Sequence, residues 1–433
     1  MKNYRNLFPP VLIILMVLSV YMASNNNIKA KKEYEDMLAK ARECVEYGII
    51  VDADVYYQEA LSLKPSSELY VEYMNMYIDA EEYYDAQKIG KSIIDTYNDS
   101  VNVYETLSKA YYYDKDYDDF IELYVRYQDE GLFSQTMEDL YASIEYNITY
   151  FGSFLEVGTY SGGRCAVKTE SGWGYVSDVG KKKIPYEYEW VGDFGNDIAP
   201  VLTKSGEMFF IDIDGNKKKV LNKIENVVAI GNVAQNIIPV YDGSTWSFYD
   251  MDQNFICGGY EEVSSMGNGY AAVKTNGKWQ MINSSGEPIT DELYEDIKID
   301  DRGVAFRGCY FGKVEGFYYM YDENGERIVE QPFQDAKVFQ DTEGYAAILL
   351  YNKWGFVNLE GEIVIEPEYD DARSFRKELA AVKIDGMWGY IDYEQNLVID
   401  NIYTDARDFN DSGNAMVLVG DTWQLIKLLK YNY

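Results

Sequence analysis

Trp388-Gly389-Tyr390-Ile391-Asp392 decides the fold, because weaker copies of this stretch recur through the last two thirds of the sequence. Its counterparts are centred on Trp173, Met208, Trp246, Trp279, Tyr318, Trp354 and Trp423, at intervals of 33 to 39 residues. Four positions after the ring stands a short polar residue (Ser177, Asp212, Asp250, Asn283, Asp322, Asn358, Asp392), and seven after it often a glycine (Gly180, Gly215, Gly286, Gly325, Gly361). Asx followed by glycine after an alternating apolar run is hairpin chemistry, since glycine supplies the positive φ of tight turns. A small-then-branched pair precedes each ring, as in Ala166-Val167, Ala272-Val273, Ala347-Ile348 and Ala381-Val382. Each unit therefore reads strand, turn, strand, turn, an apolar pair, and then an aromatic–acidic segment, fullest in Tyr369-Asp370-Asp371-Ala372-Arg373-Ser374-Phe375. Several short strands repeating at this period predict a propeller or a β-array.

The segment from Gly361 to Asp370, followed by Ala381 through Asp392, resembles the bacterial WG-repeat family. The resemblance covers roughly residues 154–427. Three units keep the Trp-Gly pair itself (Trp173-Gly174, Trp354-Gly355, Trp388-Gly389), and the others are degenerate copies. The resemblance implies a β-rich repeat domain with a binding role and brings no catalytic residue, metal ligand or cofactor.

Phe154 to Tyr160 matches the aromatic–acidic element and stands alone ahead of the hairpin at Trp173, whereas the hairpin at Trp423 has no such element after it. Eight of each part, offset at the chain ends, predict an eight-unit propeller in which the segment near Phe154 lies beside the strands around Trp423. Closure would also hide the two open sheet edges. An open, curved β-array is the alternative.

Ahead of the repeats, residues 1–32 read as a cytoplasmic tip and a transmembrane signal anchor: Lys2 and Arg5 precede a charge-free run from Leu7 to Ala23. Seventeen residues is short for a membrane span, but Tyr21 and Ala23 make a poor cleavage site. Residues 33–150 turn to helical periodicity. Ala53, Ala86 and Phe120 fall 33 and 34 residues apart, and Tyr104, Leu107, Ser108 and Tyr111 resemble the first helix of a tetratricopeptide repeat. The architecture expected is multidomain, α then β: a transmembrane helix, a tetratricopeptide-like α-solenoid over 33–150, and a WG β-repeat domain over 151–433.

Seventy-three acidic against 39 basic residues give a formal net charge of −34, which repels nucleic acid and favours metal cations and basic proteins as partners. The chain has no histidine, so His-based triads, His-ligated zinc and histidine general bases are excluded. Cys44, Cys165, Cys257 and Cys309 lack metal-ligand spacing and read as free thiols. Asp212-Ile213-Asp214-Gly215-Asn216 resembles the start of a calcium loop, but Lys223 stands where the completing Glu belongs, and the same position recurs as a turn at Asp322 and Asn358. Asp370, Asp371 and Asp405 are the carboxylates a ring would turn towards its axis, and paired carboxylates can cut glycosidic bonds. The rings at Trp388 and its counterparts read as core. The function expected is a membrane-anchored, non-enzymatic binding or scaffolding protein, displayed outside the cytoplasm and meeting a protein partner. An extracellular glycan-active enzyme and a component of a self-assembling envelope complex are the alternatives.

Overall fold

The computed structural model describes residues 28–218, 221–341 and 344–429. The expected anchor at Leu7–Ala23 lies outside them, and no helix among the described residues is long and apolar enough to cross a membrane. The chain divides between Glu145 and Tyr146 into a helical unit and a β-unit.

Among the described residues seven helices belong to the first unit: α1 (28–46), α2 (Ile50–Leu63), α3 (Ser67–Asp79), α4 (Tyr83–Ile93), α5 (Val101–Asp114), α6 (Tyr117–Asp129) and α7 (Gln135–Ala142). Ser66 and Ser134 accept the backbone N–H groups of Leu69 and Met137, giving α3 and α7 side-chain N-caps. The periodic residues Ala53, Ala86, Tyr104, Leu107, Phe120 and Tyr111 all face inward and are buried. At Gly90 a Cβ would stand 2.6 Å from Leu107 Cδ1, so glycine is what lets α4 approach α5. Tyr111 is buried beneath Lys91, whereas Tyr84 and Tyr113 are exposed.

Among its described residues the second unit carries eight antiparallel hairpins. In chain order they are Arg164–Thr169 with Gly172–Ser177, Ile198–Thr203 with Met208–Asp212, Ile237–Tyr241 with Trp246–Asp250, and Tyr270–Thr275 with Lys278–Asn283. The remaining four are Tyr310–Val314 with Phe317–Tyr321, Ala346–Leu350 with Lys353–Val357, Ala380–Ile384 with Met387–Ile391, and Asn414–Val419 with Thr422–Leu428. The Asx residues named above close the following turns: Asp212, Asp250, Asn283 and Asp322 each accept backbone N–H groups two and four residues on.

These hairpins belong to a β-propeller. Hydrophobic clusters join successive hairpins, from Tyr175 with Phe209 through Trp354 with Phe375 to Trp388 with Phe409. The last cluster packs Met416, Trp423 and Leu425 against Cys165, Val167 and Val176, which brings the eighth hairpin back to the first and closes the cycle. Strand Ile148–Phe154, from the start of the unit, pairs with Thr422–Leu428 at its end, with Phe154 opposite Trp423. An open array is thereby ruled out. The expected division into eight separate units is corrected: among the described residues the strands form seven hydrogen-bonded sheets, six of three to six strands and one of two. The reason is Lys182–Val191, which runs unbroken from its pairing with Gly172–Ser177 into its pairing with Ile198–Thr203 and so fuses the first two hairpins into one six-stranded sheet.

The ring residues sit where a core reading puts them in five of eight cases: Trp279, Tyr318, Trp354, Trp388 and Trp423 are buried, and Trp173, Met208 and Trp246 are half-buried. Trp354 and Trp388 lie opposite Tyr369 and Tyr403 of the strand that follows. That outer strand bulges beside the glycine of the Trp-Gly pair, and a Cβ at Gly389 would stand 2.6 Å from the Ile399 carbonyl oxygen.

Candidate functional site

The short segments that follow inner strands such as Asp335–Ala336, Asp371–Ala372 and Asp405–Ala406 converge on the propeller axis, and five of the chain's ten arginines gather there: Arg302, Arg307, Arg373, Arg376 and Arg407. At the centre is the turn Asp300–Gly303. Asp300, 3% exposed, accepts the backbone N–H groups of Arg302 and Val304 and the guanidinium of Arg307 at 3.0 Å. Asp301 Oδ2 accepts from Arg373 and Arg407, both at 2.9 Å, so one carboxylate ties together the segments that lead into the fifth, seventh and eighth hairpins. Arg302 donates to Gln340 Oε1 at 2.7 Å, its carbonyl accepts from Asn232, and Gly303 accepts the Ser265 N–H. This turn plugs the axis.

Beside the plug lies a cleft. Its apolar part, about 460 Å³, is lined by Trp190, Leu202, Met208, Pro239 and Trp246, with Asn232 and Gly303 at the axial end. A depression of about 330 Å³ continues from it, sharing Trp190 and Asn232 and adding Thr159, Asp193, Asp301 and Arg407. Trp190, 39% exposed, stands at the end of the strand that fuses the first two hairpins, so the fusion itself positions the ring.

The two carboxylates of the depression are pushed in opposite directions. Burial raises Asp193 to about 6, helped by the charges of Asp300 and Asp301 and opposed by a hydrogen bond from Thr159 and the charge of Arg302. Burial also acts on Asp301, but Arg373 and Arg407 outweigh it and hold the group below its ordinary value. Asp408 is raised by burial, with Arg373 opposing.

Of the carboxylates expected at the axis, Asp370 is corrected, being paired with Lys353 at 2.7 Å, while Asp371 and Asp405 lie on the inner strands, where each accepts the next backbone N–H. Asp193, Asp300, Asp301 and Asp408, which the repeat did not mark, lie beside the arginines. A repeated signal for the arginines was present: Asp335-Ala336-Lys337, Asp371-Ala372-Arg373 and Asp405-Ala406-Arg407 put a cation two residues after each inner aspartate. At the calcium-like loop, the Asp212 carboxylate is taken up by its own turn and by Lys218 at 3.0 Å. No cluster of three potential metal ligands occurs among the described residues, and all four cysteines are free, Cys165 and Cys309 being buried.

A family model described as "WG containing repeat" matches residues 173–205, 246–279, 354–388 and 388–423. These stretches are WG repeats. No curated protein matches the chain. Among solved structures, the chain is similar to a KlHsv2 variant with loop 6CD replaced by a Gly-Ser linker, at 8% identity and a TM-score of 0.38, covering 60% of this chain and 95% of that one. Kluyvelomyces marxianus Hsv2 gives 9% identity and a TM-score of 0.37, over 59% of this chain and 85% of that one. Kluyveromyces lactis Hsv2p gives 8% and 0.37, over 55% and 92%.

Proposed function

We propose that the chain is a membrane-tethered, non-enzymatic binding scaffold that presents tetratricopeptide-like helices and a WG propeller outside the cytoplasm, and that its partner docks in the axial cleft. The observation that carries the reading is the cleft itself: two indoles and an apolar wall lead into a fixed array of charges, the combination that anchors protein partners. The inward burial of Ala53, Ala86 and Phe120 supports helical repeats. The charge-free run Leu7–Ala23 behind Lys2 and Arg5 supports the tether. A formal net charge of −34 favours a basic protein as the partner.

Capture of a basic protein from envelope extracts by the full chain, lost in Trp190→Ala at an unchanged melting temperature, is the expected result; equal capture by both refutes the cleft. Proteolysis of the propeller in intact cells checks the placement, and protection until lysis overturns it.

A second reading, a carboxylate-dependent enzyme acting on extracellular glycans, draws on Asp193 and Asp301. Two carboxyl groups on one depression, one raised and one lowered, are how acid and base roles separate in glycoside hydrolysis. Release of reducing ends from a neutral wall glycan, abolished by Asp193→Asn, would favour it over the scaffold.

A further inference from the structure

A second cavity, of about 200 Å³, adjoins the plug and shares Asp301 with the cleft; Lys298, Asp300, Lys337, Arg373 and Asp408 also line it. Asp301 is 49% exposed, so the cavity communicates with solvent past this residue. Among the described residues seven buried side-chain polar atoms have no hydrogen-bond partner, and three gather at this point: Arg373 Nε, Arg407 Nε and Asp408 Oδ1. Arg407 and Asp408 both line a neighbouring space of about 30 Å³, room enough for ordered water. Arg373 and Asp408 face the larger cavity.

Unpaired buried polar groups raise the free energy of the folded state unless something pairs them. A simple anion would answer Arg373 and meet repulsion from Asp408 and Asp300. A simple cation would answer Asp408 and meet repulsion from Arg373, Lys298 and Lys337. A compact molecule with both charges a few atoms apart answers both, and the cavity is smaller than the range typical of drug-sized ligands.

We propose that this cavity binds a free α-amino acid, its carboxylate turned to Arg373 and its ammonium group to Asp408. The site uses neither Trp190 nor Trp246, so it stands or falls separately from the docking cleft.

The test is calorimetric titration of the full chain with each of the twenty amino acids, with acetate and ethylamine as the single-charge controls. Saturable binding of at least one amino acid is expected, with both controls about tenfold weaker or more. Asp408→Asn should abolish the preference for that amino acid over acetate while keeping the melting temperature. No binding by any amino acid, or acetate binding as tightly as the best of them, overturns the proposal. Should Asp408→Asn fail to fold, the wild-type comparison with the two controls still decides. A structure at saturating amino acid that holds ordered water only in the cavity also overturns it.

Discussion

At the residue scale the Trp-Gly pair divides its work: the ring fills the space between modules and the glycine clears a path for the outer strand. Trp388→Ala is expected to lower stability by about 3–5 kcal/mol, as for other large buried aromatics, read as a drop in the melting midpoint of the propeller. Gly389→Ala should cost about 1–3 kcal/mol for a different reason, because the added methyl meets the Ile399 carbonyl oxygen and the Asn401 nitrogen. Asp193 makes the propeller sensitive to pH. Its pKa is raised in the folded state, so the folded chain holds a proton that the unfolded chain has lost between about pH 4 and pH 6. Stability from this group is present below its unfolded pKa and is lost as pH rises through about 6. The melting temperature should therefore fall from pH 4.5 to pH 7, and Asp193→Asn should flatten that fall. An unchanged slope in the variant would assign it to other groups.

At the element scale, the presence of the fourth strand follows the glycine. The hairpins with Gly174, Gly355 and Gly389 after the ring all have a full outer strand. Where the position is Phe209, Gln280 or Tyr319, only isolated bridges remain on that side. Two hairpins have lost the glycine and kept the strand, and in both the glycine has moved across the pair. Ser247 lies opposite Gly258, and Gln424 faces the bulge that contains Gly152. A Cβ at Gly258 would collide with Ser247 Oγ, so Gly258→Ala should destabilise the third module and Ser247→Gly should rescue it. Thermal melts of the four combinations would give a coupling of about 0.5–3 kcal/mol; additive effects would count against the exchange. This also says what was legible in the sequence. Hairpins were, because ring, Asx and glycine act within a few residues of one another. The plug was not, because Asp300 stands where the sixth to eighth repeats have Phe339, Phe375 and Phe409, and Arg373 and Arg407, which donate to the neighbouring Asp301, come from distant repeats. Asp370 misled for the same reason: its motif is local, but which neighbour faces the axis depends on the ring.

At the scale of the whole molecule, closure rests on Ile148–Phe154. Phe151→Pro removes a backbone donor opposite Leu425 and should open the ring at that seam, seen as faster amide exchange throughout Thr422–Leu428 while the central hairpins stay protected. Uniform loss of protection in every module would mean that the ring unfolds as one unit. The expected boundary of an offset chain end, near Phe154, was readable because an element without a hairpin partner at one end and a hairpin without an element at the other leave a matching pair. The seam has one more consequence, for biosynthesis. Phe151 emerges from the ribosome well before Leu425, and at ordinary translation rates the interval is on the order of tens of seconds. Throughout it the opening strand has no mate and offers a bare edge to any neighbouring nascent chain. Cells that make this protein quickly must therefore shield that edge, so the yield of closed rings should depend on chaperone supply more than on the stability of the finished ring.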